Sequence, residues 1–165
     1  AVDLVAGKNL AGAFWQPSMV IFDTKTLATL PREIFADGCA EVIKYGILYD
    51  PDLFAQLERD GLDFDRETVI GQCVRWKRDV VMEDEFDTGM RMKLNLGHTI
   101  GHGIETAAGL ENLYHGECVA LGMTYTSVGD ARSRLIRVLE KYGLPTSYNG
   151  DVKKALAFLQ VLLVR

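Results

Sequence analysis

Apolar and polar positions follow the spacing of amphipathic helices along most of the chain. Apolar residues recur three and four positions apart, which is the pattern of helices that bury one face. Asp130 precedes the last such segment, and Gly143 and Pro145 follow it, as is typical of a helix with both ends marked. The predicted fold class is therefore mainly α. A short predicted helix begins near Pro31 and is broken by Gly38, and further predicted helices cover 40–49, 51–60, 66–84, 94–108, 116–128 and 131–142.

The two ends of the chain depart from this helical pattern. Residues 1–12 are expected to form a loop, and residues 18–23 have the pattern of a short buried strand that follows Pro17. At the other end, residues 158–164 form an apolar, strand-like run after a short helical segment. The predicted architecture is a set of helices with a short strand segment near its N-terminus.

Composition and charge exclude several classes of protein. The 165 residues are 48% hydrophobic and 25% charged, which is ordinary for a globular domain with a sizeable core. The net charge of −5 is not offset by a lysine and arginine cluster, which argues against a nucleic-acid partner. No stretch reaches the roughly 18 apolar residues of a membrane helix. The chain does not begin with methionine, so we expect a fragment.

The cysteines favour a reducing compartment. Cys39, Cys73 and Cys118 are widely spaced, odd in number and without a C-x-x-C pair. Such thiols are more typical of a cytoplasmic protein than of a disulfide framework. Their expected role is that of small buried apolar side chains.

All three histidines of the chain lie between positions 98 and 115. His98 and His102 are four residues apart, so on a helix they share one face, and Glu105 falls on the same face. This is how a helix presents metal ligands or acid and base groups. The alternative is a set of hydrogen-bonded core histidines without a metal. His115 and the apolar surroundings favour a functional cluster, since buried polar groups need partners.

A second segment pairs two charges on an otherwise apolar helix. Glu41 and Lys44 are the charged residues of the segment 40–48 and lie one turn apart. A buried carboxylate and ammonium cost several kcal/mol unless they are paired or bound to something. One explanation is an internal ion pair between Glu41 and Lys44. The other is that Glu41 joins two imidazoles as the third ligand of a Zn²⁺ site, which leaves positions open for a substrate.

Residues that could hold anionic oxygens precede the histidines. Arg91 and Asn95 are four residues apart, and Asn95 lies three before His98. With Lys77 they suit phosphate and carboxylate groups, although for Lys77 the sequence alone favours a place on a solvated charged face. Close spacing of glycines at 97, 101 and 103 indicates that a ligand or a second helix approaches the backbone.

Several segments together resemble the dehydroquinate synthase family. They occur in the family's order over roughly residues 1–145. The matching segments are Gly7-Lys8-Asn9-Leu10, Gly12-Ala13-Phe14-Trp15-Gln16-Pro17, Thr29-Leu30-Pro31, Ala40-Glu41-Val42-Ile43-Lys44, Asn95-Leu96-Gly97-His98-Thr99-Ile100-Gly101-His102 and His115-Gly116-Glu117.

The resemblance implies a two-domain enzyme of the shikimate pathway. The family joins an N-terminal α/β domain that binds NAD⁺ to a helical domain that carries the metal. It converts 3-deoxy-arabino-heptulosonate 7-phosphate into 3-dehydroquinate and phosphate, as a homodimer. Residues 1–30 would be the tail end of the NAD-binding domain and 31–165 the metal- and substrate-binding domain. Abrupt passages near 128 and 157 are compatible with missing internal segments.

The resemblance also implies a role for individual residues. The metal ligands would be Glu41, His98 and His115, with Zn²⁺ as the expected ion and Co²⁺ as the alternative. His102 would then be free to act on the substrate. The catalytic set would be His102, Lys44 and Asn95, the substrate-binding set Asn9, Lys77 and Arg91, and the residue near the cofactor Lys8.

Other functions remain open from the sequence. Related sugar-phosphate cyclases that make inosose or valiolone rings use a similar metal triad, although Asn95 with Lys77 and Arg91 favours a substrate that bears a carboxylate. A metallohydrolase is disfavoured because the residue after His98 is not a glutamate. A non-catalytic helical zinc-binding domain, or a helical domain without metal, is the third alternative. Since the NAD-binding half is absent, we expect the fragment alone to be inactive.

Overall fold

The computed structural model describes residues 2–4, 7–13, 15–86, 89–109 and 113–163, and this part of the chain is mainly helical. The predicted fold class is therefore confirmed. The strands are β1 (Val2–Leu4) and β2 (Gly7–Ala11), and the α-helices are α1 (Arg32–Tyr49), α2 (Pro51–Asp60), α3 (Arg66–Glu83), α4 (His98–Ala108), α5 (His115–Thr126), α6 (Gly129–Tyr142) and α7 (Val152–Leu163). Short 3₁₀ helices cover Thr24–Thr29, Gly61–Asp63 and Met90–Asn95. None of the described helices is long and apolar enough to span a membrane.

Buried apolar side chains of α1, α2, α5 and α6 pack together in one cluster. Ile43 of α1, Leu57 of α2, Val119 of α5 and Leu139 of α6 are each fully buried in it. Burial of one such side chain contributes about 1.5–3 kcal/mol relative to leaving it in water. This cluster holds α1 and α5 side by side, and these are two of the helices that carry the candidate ligands.

The predicted helix break at Gly38 is wrong. Helix α1 runs through Gly38 without interruption. A glycine inside a helix costs about 1 kcal/mol relative to alanine, but the apolar face around it is strongly buried. Ala36, Cys39 and Ala40 lie on that face and are at most 6% exposed. Packing of this face outweighs the local cost, so the two predicted helices are one.

Three predictions for the chain ends are also wrong. Residues 1–12 contain the antiparallel pair β1 and β2 rather than a loop throughout, with Val2 opposite Ala11. Residues 18–23 form no strand, because none of the described residues supplies the neighbouring strand that an extended segment needs. The side chain of Ile21 is instead 85% exposed. The strand-like run from 158 is part of α7, which continues to Leu163 and packs on α4.

The C-terminal boundary of α6 agrees with the sequence prediction, whereas its N-cap residue differs from the predicted one. Gly143 follows the helix in the left-handed conformation, with φ of 78°, and its N–H bonds to the last turn. Asp130 is not the N-cap. Val128 occupies that position, and Asp130 lies in the first turn, where a carboxylate favours the positive end of the helix dipole.

Helices α4 and α5 approach each other closely at glycines. A side chain at Gly122 of α5 would overlap the carbonyl oxygen of Gly97, and a Cβ at Gly101 would lie 2.9 Å from the Cys118 carbonyl oxygen. Gly103 meets α7 in the same way, since its Cβ would lie 2.9 Å from the Ala155 carbonyl oxygen. The glycine spacing is thus explained by helix packing, and it brings the first residues of α4 and α5 together.

Candidate metal centre

Three helices each contribute one side chain to a common point. Glu41 lies in the middle of α1, His98 is the first residue of α4 and His115 is the first residue of α5. One ligand atom from each of the three lies within 4.8 Å of the other two. The Nε2 atom of His98 is 3.3 Å from Oε1 of Glu41, and the ring centroids of His98 and His115 are 5.3 Å apart.

The surroundings of His98 direct a lone pair towards Glu41. Its Nδ1 atom is 3.2 Å from the carbonyl oxygen of Leu96. A carbonyl oxygen only accepts hydrogen bonds, so this contact favours the proton on Nδ1 and leaves Nε2 as an acceptor. Oε1 of Glu41 is buried and makes no hydrogen bond to any described residue. Two acceptors that face each other at 3.3 Å fit a cation between them, so the residues present suit a metal ion.

Lys44 pairs with the other oxygen of the same carboxylate. Its Nζ atom donates to Oε2 of Glu41 over 2.6 Å, and the lysine is only 3% exposed. Burial raises the pKa of Glu41, whereas the charge and the hydrogen bond of Lys44 lower it, and the net direction is downward. Burial lowers the pKa of Lys44, and the Glu41 carboxylate partly offsets this. Glu41 is therefore ionised, as a metal ligand must be.

Glu105 is a second carboxylate beside the same imidazoles. It is 4% exposed, and its Oε2 atom lies 3.2 Å from Nδ1 of His102 and 3.8 Å from Nδ1 of His115. Burial lowers the pKa of His115, while the charge of Glu105 acts in the opposite direction. His102, Glu105 and His115 form a second group among the described residues with ligand atoms within 4.8 Å. The cluster thus offers two arrangements that share His115.

The other predicted site residues differ in their exposure and in their contacts. Asn95 is exposed at the end of the 3₁₀ helix that leads into α4. Lys77 is exposed on α3, near enough that its charge contributes to lowering the pKa of Lys44. Arg91 donates from Nη1 to the carbonyl oxygen of Glu85, over 2.8 Å. The side chains of Lys8 and Asn9, both on β2, lie outside the described part of the structure.

Glu105 shares a helix face with the histidines, but the sequence alone assigns it no role. The available signal was its spacing of three residues from His102 on a helix with few other charges. A carboxylate that accepts from Nδ1–H fixes the imidazole tautomer and leaves Nε2 for a ligand or a substrate. The structure therefore places a carboxylate within reach of Nδ1 of His102, where it would orient this imidazole.

We expect Glu105→Ala to change the tautomer of His102. Without the carboxylate, the Nδ1–H form loses its partner, so His102 should shift towards the Nε2–H form. Nitrogen-15 NMR of the imidazoles at alkaline pH, without metal, measures this. His98 is an internal control, because its Nδ1 faces the Leu96 carbonyl oxygen and should not change. An unchanged His102 spectrum would contradict the orienting role of Glu105.

Models of known protein families match most of this chain. A family model described as 3-dehydroquinate synthase C-terminal matches residues 38–162. The chain belongs to the 3-dehydroquinate synthase family. A second model of the family, described as 3-dehydroquinate synthase N-terminal, matches residues 1–37. The resemblance inferred from the sequence motifs is thereby confirmed.

Curated relatives carry the same family name. The 3-dehydroquinate synthase of Pelobacter propionicus is 45% identical over 161 residues, which are 88% of this chain and 45% of the relative. That of Clostridium perfringens is 44% identical over 163 residues, 90% of this chain and 46% of the relative. The chain thus spans about half the length of the 3-dehydroquinate synthases that it matches.

Solved structures of sugar-phosphate cyclases share the fold of this chain. The valiolone synthase ValA of Streptomyces hygroscopicus subsp. jinggangensis, with NAD⁺ and Zn²⁺ bound, has a TM-score of 0.84 at 24% identity, over 98% of this chain and 49% of that one. A 2-deoxy-scyllo-inosose synthase with carbaglucose-6-phosphate, NAD⁺ and Co²⁺ has a TM-score of 0.82 at 28% identity, over 97% of this chain and 48% of that one. The helical fold of this 3-dehydroquinate synthase family member is therefore that of sugar-phosphate cyclases.

Proposed function

We propose that this chain is the metal- and substrate-binding half of a 3-dehydroquinate synthase. The full enzyme would convert 3-deoxy-arabino-heptulosonate 7-phosphate into 3-dehydroquinate and phosphate. The observation that carries this proposal is the convergence of Glu41, His98 and His115, with a buried carboxylate oxygen that faces an imidazole acceptor. The names of the curated relatives support the same reaction.

Glu41, His98 and His115 would hold a Zn²⁺ ion, or Co²⁺ in its place. Two imidazoles and a carboxylate are a known zinc donor set that leaves positions open for a substrate. When bound, such an ion lowers the pKa of a substrate hydroxyl and polarises the ketone formed from it. The neighbouring ammonium of Lys44 is positioned by Glu41 over 2.6 Å and would donate to a substrate hydroxyl.

His102 would handle the proton at the substrate phosphate, together with Asn95 and Asn9. With Nδ1–H on Glu105, the Nε2 atom of His102 is free to accept or donate one proton. The His102 side chain is 44% exposed, so a substrate can reach it. Asn95 is exposed three residues before His98 and would donate its amide N–H to a phosphate oxygen.

Lys77 and Arg91 would bind the substrate carboxylate. Lys77 is exposed, and Arg91 donates to the Glu85 carbonyl oxygen, a contact that a carboxylate would replace with a stronger charged pair. Binding of a carboxylate distinguishes a 3-dehydroquinate synthase from cyclases whose substrates lack one. Product analysis with each sugar phosphate separates these two activities.

The NAD⁺ pocket would come mainly from an α/β domain that precedes these residues. We propose that 1–30 are the end of that domain, with Lys8 near the cofactor, and that 31–165 are the metal- and substrate-binding domain. The N-terminal and C-terminal family models support a division in this part of the chain, with their own boundary between residues 37 and 38. Because the chain spans about half the length of its relatives, we expect it to be inactive alone. A cytoplasmic homodimer is the proposed state of the full enzyme.

A chimaera tests the proposed function. The C-terminal half of the Pelobacter propionicus relative is replaced by this chain, and phosphate release and 3-dehydroquinate formation are measured with NAD⁺ and Zn²⁺. We expect activity in the chimaera and none in the 165-residue chain by itself. The matched control is the chimaera with His98→Ala, which should bind no zinc and release no phosphate. A folded, zinc-loaded chimaera without activity, or turnover by the chain alone, would contradict the proposal.

A further inference from the structure

A carboxylate from α1 accepts a hydrogen bond from the first turn of α5. The backbone N–H of Glu117 donates to Oδ1 of Asp37 over 2.8 Å, across 80 residues of sequence. The first N–H groups of a helix have no partner inside it and need an acceptor. The Glu117 side chain in turn accepts from the Tyr114 N–H, at 2.9 Å. Asp37 therefore takes the place of an N-cap, from another helix.

The same contact brings the two backbones together. Gly116 follows His115 directly, and a side chain at this position would overlap the carbonyl oxygen of Asp37. A glycine is therefore required for α5 to reach α1 here. Asp37 lies four residues before Glu41, which is one helical turn. The contact is thus one turn from Glu41 on one helix and adjacent to His115 on the other.

Asp37 is partly buried while it makes this contact. Burial raises its pKa, the hydrogen bond from Glu117 N–H lowers it, and the net direction is upward. A carboxylate in such a position is favourable only because helix N–H groups and the positive end of the helix dipole face it. Its Oδ1 atom accordingly binds the first turn of α5, although the residue as a whole is partly exposed.

We propose that Asp37 is a positioning residue that sets the spacing of Glu41 and His115 for the metal ion. Asp37 itself binds no metal; it ties the first turn of α5, where His115 begins the helix, to the turn of α1 that precedes Glu41. A change of a few tenths of an ångström between ligands weakens a metal site. This inference rests on the proposed metal site. In the segment His115-Gly116-Glu117, Gly116 would then allow the close approach to α1 and Glu117 would donate the hydrogen bond to Asp37.

Metal affinity tests the proposal on the 165-residue chain itself. Zn²⁺ binding is measured by competition with a coloured chelator, and Co²⁺ binding by its visible absorption, for Asp37→Ala and Asp37→Asn. Outer groups that orient metal ligands typically change affinity by about 10–100-fold. We expect a loss in this range for Asp37→Ala and a distorted cobalt spectrum. Asp37→Asn keeps an acceptor oxygen and should remain within about threefold of the unchanged chain.

Asp50→Ala is the matched control. Asp50 caps α2: its Oδ1 atom accepts from the Asp52 N–H and the Leu53 N–H, each at 2.9 Å, so these hydrogen bonds hold α2 rather than α5. Urea unfolding should show a loss of stability in both alanine variants, whereas only Asp37→Ala should lose metal affinity. If Asp37→Ala does not fold, Asp37→Ser replaces it, since the shorter hydroxyl reaches α5 less well and should also weaken binding.

The outcomes separate this inference from the metal site on which it rests. Unchanged affinity in a folded Asp37→Ala or Asp37→Ser variant would overturn the inference alone. So would an equal loss of affinity in Asp50→Ala, because any lost helix cap would then suffice. Absence of Zn²⁺ and Co²⁺ binding by the unchanged chain would overturn the metal site and the inference together.

Discussion

His98→Ala is expected to abolish stoichiometric zinc binding by this chain. The variant removes one of three ligands, so the affinity should fall by more than the about 100-fold that loss of an outer orienting group costs. His98 is the better position for this test than Glu41, because Glu41 also pairs with the buried Lys44. Leaving a buried charge without its partner costs about 3–5 kcal/mol by itself. Metal analysis of the purified variant, with circular dichroism as a check of folding, measures the effect.

His102→Ala is the matched control for this prediction. Its imidazole is four residues from His98 on the same helix, with ring centroids 5.7 Å apart, but it belongs to the other candidate group. If Glu41, His98 and His115 hold the ion, His102→Ala retains zinc. The reverse result, with zinc retained in His98→Ala and lost in His102→Ala, would assign the ion to the group that contains Glu105.

Gly122→Ala is expected to destabilise the fold severely. The added methyl group would overlap the carbonyl oxygen of Gly97, and the Gly101 backbone nitrogen would lie 3.0 Å from it. These atoms belong to the backbone, so no side chain can move aside to make room. Overpacking of this kind costs about 1–3 kcal/mol and occasionally more, and we expect at least 3 kcal/mol here. The midpoint of urea unfolding, followed by circular dichroism, measures it.

Gly38→Ala is the control for this substitution. It also lies inside a helix, but no described atom lies within 4 Å of a Cβ added there. Alanine is favoured over glycine in a helix by about 1 kcal/mol, so Gly38→Ala should stabilise the chain slightly. Equal stability of the two variants would show that α4 and α5 do not approach each other as closely as the structure places them.

The helical part of the fold was predictable because its cause is local. Apolar residues at helical spacing define the buried faces of α2, α3 and α6, and Gly143 marks the end of α6. The predictions were wrong where packing between residues far apart in the sequence determines the secondary structure. Continuity of α1 through Gly38 depends on its buried face, and the helical form of α7 depends on contact with α4. Neither contact can be predicted from the helix propensity of the local sequence.

The candidate site was predictable in part for the same reason. The histidines and the Glu41 and Lys44 pair stand out as charges or imidazoles in apolar segments, and the family resemblance selects three of them as ligands. The orienting contacts were not predictable. Asp37 meets Glu117 across 80 residues, and Glu105 reaches His115 from another helix. Such contacts become visible only when the helices are placed in space.

Glu41, His98 and His115 are the proposed ligands of the metal ion, and all other proposed roles depend on this assignment. Crystals of the chain soaked in Zn²⁺ and measured at the zinc absorption edge test this directly. The expected result is one anomalous peak at about 2.0–2.2 Å from one carboxylate oxygen of Glu41 and one nitrogen each of His98 and His115. A peak bonded to His102, Glu105 and His115, or no peak in zinc-soaked crystals, would contradict it.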